Sequence, residues 1–255
     1  MVPLLTSSAA ALLLLNFPIF VALLMSSLLI IVRGDVVPLQ IVAQTVFGSL
    51  DKFALMAVPF FIFGANVMDQ GGLSRRLIHL VRLIFAPVPG AVGLTTVGSA
   101  QLFGAVSGSS PATVVAVGSI LYPALLESGY GKRFSLGLIT CSGCLGILIP
   151  PSITMIIFAT ITNVSVGALF MAGVGAGIAF GLVLMAYVVY YAYANGIPKD
   201  KASSFHEILV AGREAAWGLG APVLIVGGIY FGVFTPTEAA GVVTAYAIFV
   251  TRYVY

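Results

Sequence analysis

Charge is what this sequence has least of. Lysine, arginine, aspartate and glutamate together make up 7% of its 255 residues, against about 25% in a soluble globular domain. So few charges do not cover a water-exposed surface, and the sequence is read as an integral membrane chain whose main solvent is lipid. Its net charge of +3 excludes the strongly basic balance of a nucleic-acid binder, so no nucleic acid is expected as a partner. The two histidines, His79 and His206, lie far apart in polar stretches and read as solvated loop residues. The two cysteines, Cys141 and Cys144, are spaced C-x-x-C inside a charge-free run without a further Cys or His nearby. That spacing puts both on one helical face, where packing is favoured over redox or metal chemistry. The apolar spans also lack an Asp pair, a His-rich cluster or a nucleophile–base arrangement, so the chain is read as no enzyme, without cofactor or transition metal.

Long apolar runs are what it has in their place. Apolar residues make up 60% of the chain, and its mean hydropathy is +1.14. No ionisable Asp, Glu, Lys, Arg or His lies in residues 2–32, 83–126 or 134–198. About 20 apolar residues carry a helix across a bilayer, so the last run holds more than two crossings. Shorter apolar segments at 53–68, 215–230 and 239–251 cross with help from tilt or from neighbours. The start of the chain lacks the basic n-region and clear cleavage site of a signal peptide. It is read as a retained first helix over 4–32, kinked at Pro18. Residues 36–50, interrupted by Pro38, Gln40, Gln44 and Gly48, read as an interfacial or tilted helix.

Basic residues set the orientation. Arg75, Arg76, His79 and Arg82 follow a Gly71-Gly72 turn, and Lys132 with Arg133 follow Glu127. By the positive-inside rule both clusters face the cytoplasm, as does the loop 195–213 with Lys199, Lys201 and Arg213, whose latter part suits an amphipathic surface helix. The charge-free stretch 83–126 between the first two clusters therefore enters the membrane and returns. Its arms, 91–106 and 111–126, are each about 24 Å long at 1.5 Å per residue, short of a full crossing. Two readings fit: an ordinary two-helix hairpin turning at the far surface, and a re-entrant hairpin whose tip at 107–111 stops inside the protein, where irregular backbone must be buried or beside water.

A second break, Gly146 to Ser152, interrupts the apolar run 134–161. Pro150 and Pro151 have no N–H, so the carbonyls of Gly146 and Ile147 lose their helical donors and need a partner in a membrane interior. Interrupted apolar segments are the best sequence pointer to a transporter binding site. The oxygens of Ser107 and Ser109 follow a helix C-terminus, suited to a cation. Ser110 as cap and Pro111 as first residue open a helix whose N-terminus suits a carboxylate. A sodium ion beside an organic anion fits this chemistry without being its unique occupant. In the long helix 166–194, Gly173, Gly177 and Gly181 form a stripe for close helix packing.

The motifs Pro59–Gly64, Gly71–Leu77, Phe103–Thr113, Gly146–Ser152 and Phe234–Ala240 occur in one order along nearly the whole chain. Together they resemble the large membrane subunit (DctM-like) of tripartite ATP-independent periplasmic (TRAP) transporters. The resemblance implies an all-α, multi-span membrane bundle with a re-entrant hairpin and a broken helix, like the first inverted repeat of an elevator transporter. It implies sodium-coupled import, a symport, of small organic anions such as C4-dicarboxylates or sialic acid across the bacterial inner membrane. Implied partners are a small four-helix membrane subunit and a periplasmic substrate-binding protein. Carried onto this chain, Ser107, Ser109, Gly146, Ile149 and Pro151 match the sodium site. Gly108, Ser110, Thr113, Pro150 and Ser152 stand in the substrate-site vicinity, and Thr235, Thr237 and Glu238 match a further motif as lesser candidates.

Three regions follow: membrane helices of a scaffold and arm over 1–82, the hairpin and broken helix of a transport domain over 83–165, and over 166–255 a long helix, a cytoplasmic loop and the start of a second repeat. The family subunit is usually much longer, with a second hairpin. The chain is accordingly expected to be a truncated product, a fragment, or one piece of a split subunit with a separate second-half polypeptide. The alternative functions are a non-transporting membrane scaffold and a subunit of another ion-coupled anion transporter.

Overall fold

The computed structural model describes residues 2–34 and 38–255, and among them every regular element is a helix. Inter-residue contacts divide the chain into two units, 1–52 and 53–255.

In the first unit, α1 (Val2–Leu14) and α2 (Ile19–Gly34) pack against each other, and α3 spans Leu39–Leu50. The single helix expected over 4–32 is therefore two. Its break is set at Asn16, not by a kink at Pro18: Asn16 takes a left-handed φ of 65°, and Phe17 N–H closes back onto Leu12 O at 3.1 Å. Asparagine tolerates that conformation better than other side chains, and this closure ends helices. The interfacial helix expected over 36–50 is α3 from Leu39 on; Val36 lies outside the described residues.

The second unit begins with a 3-10 turn, Phe53–Met56, leading into α4 (Ala57–Gln70). After Gly71-Gly72 comes α5 (Leu73–Phe85), whose apolar row Leu73, Leu77, Leu80 and Val81 is buried against α6 (Ala91–Ser107) and α12 (Phe205–Tyr230). Arg75, His79 and Arg82 lie on its exposed side. Both histidines are solvated as expected, but on helices instead of loops.

Helix α6 is buried except at Gln101 and Leu102. A helix enclosed on nearly every face belongs to a protein core and not to the lipid boundary. It turns at Gly108 and Ser109 into α7 (Ser110–Glu127). Then α8 (Lys132–Gly143), the single turn α9 (Leu145–Leu148) and α10 (Ile153–Thr162) form a bent pair with a 48° change of direction. Cys141 and Cys144 are both exposed free thiols, so the expected packing role fails: the buried face of α8 is its Ser135, Leu138, Ile139 and Ser142 side.

Helix α11 (Val166–Ala194) coincides with the long helix read from sequence. Helix α12 starts at Phe205, within the latter part of 195–213 where a helix is expected, because Ser204 and Glu207 form a capping box that nucleates it there. Helix α13 (Pro236–Phe249) follows, with a final π-turn over Val250–Val254. It runs parallel to α4, joined by three threonine hydroxyls at a constant offset. Thr237 donates to Phe53 O at 3.0 Å, Thr244 to Phe60 O at 2.8 Å and Thr251 to Val67 O at 3.2 Å. Among the described residues, four helices are long and apolar enough to cross a membrane, or five spans when the bent pair counts as one.

Candidate functional site

The two interruptions read from the sequence meet in space. Gly108, left-handed at φ 61°, ends α6, and its N–H bonds Gly104 O. Its carbonyl accepts from Ile153 N–H across the chain break at 3.2 Å, and a Cβ there would run into Pro151 O. Only glycine satisfies both the dihedral and the approach. The hairpin tip is thus stitched to the start of α10 by a backbone bond.

Oxygen atoms gather just behind the tip. Ser107 and Thr113 are buried, and their hydroxyls lie 3.0 Å apart. The Thr113 hydroxyl also donates to Ser109 O at 2.8 Å. Gly146 lies against the same group: a Cβ on it would stand 2.5 Å from Thr113 Oγ1 and 2.9 Å from Ser109 O. Gly104 meets the other side of Gly146, with its own ideal Cβ 2.8 Å from the Gly146 Cα. Small residues on α6 and α9 let the two backbones touch.

The broken helix departs from a simple proline kink. Ile149 is extended, with φ −90° and ψ 127°, and its N–H closes α9 onto Leu145 O. Pro150 and Pro151 follow, both buried, and neither has an N–H to donate. Ser152 then caps α10, its hydroxyl accepting from Met155 N–H at 3.3 Å. The side chain of Ile149 turns away from the hairpin onto Gly177 of α11. Glycines 173, 177 and 181 are buried and meet, in order, Leu148 O, Ile149 and the Gln101 side chain. Gln101 Nε2 donates to Gly177 O at 3.3 Å. The stripe is a packing surface, as read, and what it packs is the break itself.

Ser107, Gly108, Ser109, Thr113, Gly146, Pro151 and Ser152 are therefore brought into one neighbourhood. The cap of α7 falls one residue earlier than expected: Ser109 is the N-cap, Ser110 the first helical residue and Pro111 the second. Thr235, Thr237 and Glu238 stand elsewhere, at the head of α13. Thr235 N–H and its hydroxyl each donate to Glu238 Oε2 at 2.8 Å, while Glu238 N–H returns a bond to Thr235 Oγ1 at 3.3 Å. These bonds to the charged form hold the Glu238 carboxyl below its usual range, so its part in the cap is present above the ordinary carboxylate pKa. It is lost as pH falls through the depressed value. The expected outcome for Thr235→Ala is a loss of about 1 kcal/mol, seen as faster hydrogen exchange confined to the first turn of α13. Unchanged exchange there would show that the box contributes nothing.

A crevice of about 570 Å³ opens in front of the tip. Ser107, Ser109 and the Ala112–Ser119 side of α7 form one wall; Asn66 and Asp69 of α4 with Ser74 and Arg75 of α5 form the other. Sequence reading missed this second wall. Its trace in the sequence is that Ser74 and Arg75 fall in Gly71–Leu77, one of the motifs that carry the family resemblance.

Helices long enough to cross a bilayer, with a broken span touching the tip of a shorter-armed hairpin, define a multi-span membrane protein of the kind built as a transporter permease. Residues 6–255 match the family described as the tripartite ATP-independent periplasmic transporter, DctM component. The chain belongs to that family, a family of bacterial membrane permeases and not of enzymes. It is 41% identical over 239 residues to the C4-dicarboxylate TRAP transporter large permease protein DctM of Vibrio cholerae, covering 93% of this chain and 53% of that one. It is 42% identical over 259 residues to the DctM of Rhodobacter capsulatus, covering 96% and 59%. It is 41% identical over 250 residues to the ectoine TRAP transporter large permease protein TeaC of Halomonas elongata, covering 97% and 58%. The chain spans about half the length of these relatives.

Proposed function

We propose that this chain forms the hairpin-bearing part of a sodium-coupled importer of small organic anions in the bacterial inner membrane. The observation that carries this reading is the meeting of the hairpin tip with the broken helix at Gly146, Thr113 and Ser109. Sodium is a hard cation suited to hydroxyl and carbonyl oxygens, and unwound backbone in transporters supplies them. Ser107, Ser109, Gly146, Ile149 and Pro151 offer such oxygens, with Gly108, Ser110, Thr113, Pro150 and Ser152 around them. Pro150 and Pro151 leave the carbonyls of Gly146 and Ile147 without helical donors, so oxygen is available there at no cost in broken bonds.

In this reading 91–127 is a re-entrant hairpin entered from the cytoplasmic side. Basic residues flank it at both ends, and α6 is too enclosed to face lipid. The anion, a C4-dicarboxylate or a sialic-acid-like acid, arrives from a periplasmic binding protein, and a small four-helix subunit completes the membrane complex.

The test is thermal unfolding of the purified membrane complex in sodium against potassium chloride at equal ionic strength. A sodium-specific rise in the midpoint is expected, following mass action on a bound ion. Ser107→Ala removes a ligand hydroxyl and is expected to move the half-saturating sodium concentration up by about tenfold, the loss of one oxygen contact to a charged group. Equal midpoints in sodium and potassium would leave a non-transporting scaffold as the better description.

A further inference from the structure

Three arginines of the Gly71–Arg82 region have different employment. Arg76 donates to Gly71 O at 2.6 Å, and its guanidinium lies 3.8 Å from the centre of the Tyr255 ring. Arg82 pairs with Asp200 at 3.3 Å. Arg75 lines the crevice in front of the hairpin tip. Among the described residues its guanidinium takes part in none of the recorded hydrogen bonds or ion pairs. Asp69, the acid nearest in the crevice, accepts the Ser74 hydroxyl. Asn66 adds a side-chain amide to the same wall.

We propose that Arg75, together with Asn66 on the same wall, forms the anion-recognising pair of this crevice, binding the carboxylate or sulfonate of a small organic acid. The inference rests on the importer reading and deepens it by naming the substrate's charged-end contact. A guanidinium presents a planar fork of donors that matches a carboxylate. The amide of Asn66 supplies one further donor. The crevice, at about 570 Å³, falls within the size range of small-molecule sites. Ile62, Phe103, Ile120 and Ile153 line it between the polar patches, so an anion held at Arg75 lays its carbon skeleton on apolar surface and reaches toward Ser107 and Ser109. Asp69 opposes any anion placed there, which tunes affinity down and lets the substrate leave.

Arginine-specific labelling with phenylglyoxal, read peptide by peptide by mass spectrometry on the complex purified from its own membrane, tests this. The probes are succinate, as a C4-dicarboxylate, with isethionate, ectoine and 2,3-diketo-L-gulonate, after the compounds for which relatives of this chain are named. Arg75 is expected to label faster than Arg76 and Arg82, and at least one probe is expected to slow Arg75 while leaving the other two unchanged. Asp69→Asn keeps an acceptor for Ser74 and is expected to lower the half-protecting concentration about threefold, the direction set by removing a nearby like charge. In sodium-driven uptake, Arg75→Gln is expected to raise the apparent KM about tenfold, with Arg75→Lys between the two. If none of the four probes slows Arg75 more than it slows Arg76, the proposal is wrong. The sodium midpoint shift, measured on the same preparation, reports separately: protection without a sodium shift removes the coupling ion but keeps the anion site, and the reverse removes the anion site alone.

Discussion

On the proposed sodium reading, an alanine at Gly146 is expected to weaken the sodium response by roughly 5- to 140-fold, taking about 1–3 kcal/mol for overpacking at 1.4 kcal/mol per factor of ten. The added Cβ would stand 2.5 Å from Thr113 Oγ1 and 2.9 Å from Ser109 O. Neither retreats freely. The Thr113 hydroxyl is held by Ser107 and by Ser109 O, and Ser109 O is backbone at the mouth of α7. On the other side Gly104 blocks a compensating shift of α9. Gly137, on the same bent span, has nothing within 4 Å of its ideal Cβ, so Gly137→Ala is the control and is expected to leave the sodium midpoint shift intact. A Gly146→Ala complex with the full response would mean that this contact does not shape the proposed ion site.

A leucine at Gly173 should cost the fold itself. Its Cβ would meet the backbone carbonyl of Leu148 and stand 2.6 Å from Met155 Cε. The methionine end is flexible, but the carbonyl belongs to the last turn before the break. Displacing α11 to make room separates it from α9 and α10 together. The expected loss is about 3 kcal/mol or more, at the severe end for inserted side chains, measured as a lower unfolding midpoint and lower yield of folded protein. Gly175 is exposed and has open space around its Cβ. Gly175→Leu on the same helix is therefore expected within about 0.5 kcal/mol of the parent. Equal behaviour of the two variants would show that the stripe is not a tight contact.

Local chemistry made part of this architecture legible. Gly108 and Pro111 announced the hairpin turn, and the double proline announced the gap between α9 and α10, because glycine and proline act on their own dihedrals and donors. Those are also the residues around which the oxygen cluster assembles. The α1–α2 turn was misread for a related reason. Pro18 drew attention as the helix breaker, while Asn16, which needs a left-handed conformation to end α1, carries a weaker signal. The helix expected in the latter part of 195–213 is present, and the capping box at Ser204 and Glu207 fixes where it starts. Arg75 was beyond reach for a different cause. Basic residues on an amphipathic helix look alike in sequence, and only the placement of α4 and α7 separates the one in the crevice from Arg76 and Arg82.

The three threonines of α13 and the π-turn that continues it act as an indexing rack. Positions 237, 244 and 251 engage 53, 60 and 67, seven residues apart on both helices. A slide of one helix along the other breaks all three bonds together, and the next carbonyls on the same face are about 5.4 Å away, one turn along. Each such bond between membrane helices contributes about 0.6 kcal/mol, modest alone but synchronous here. Helices α4 and α13 are thereby geared as one rail, whereas among the described residues the crevice between α4 and α7 has no such teeth.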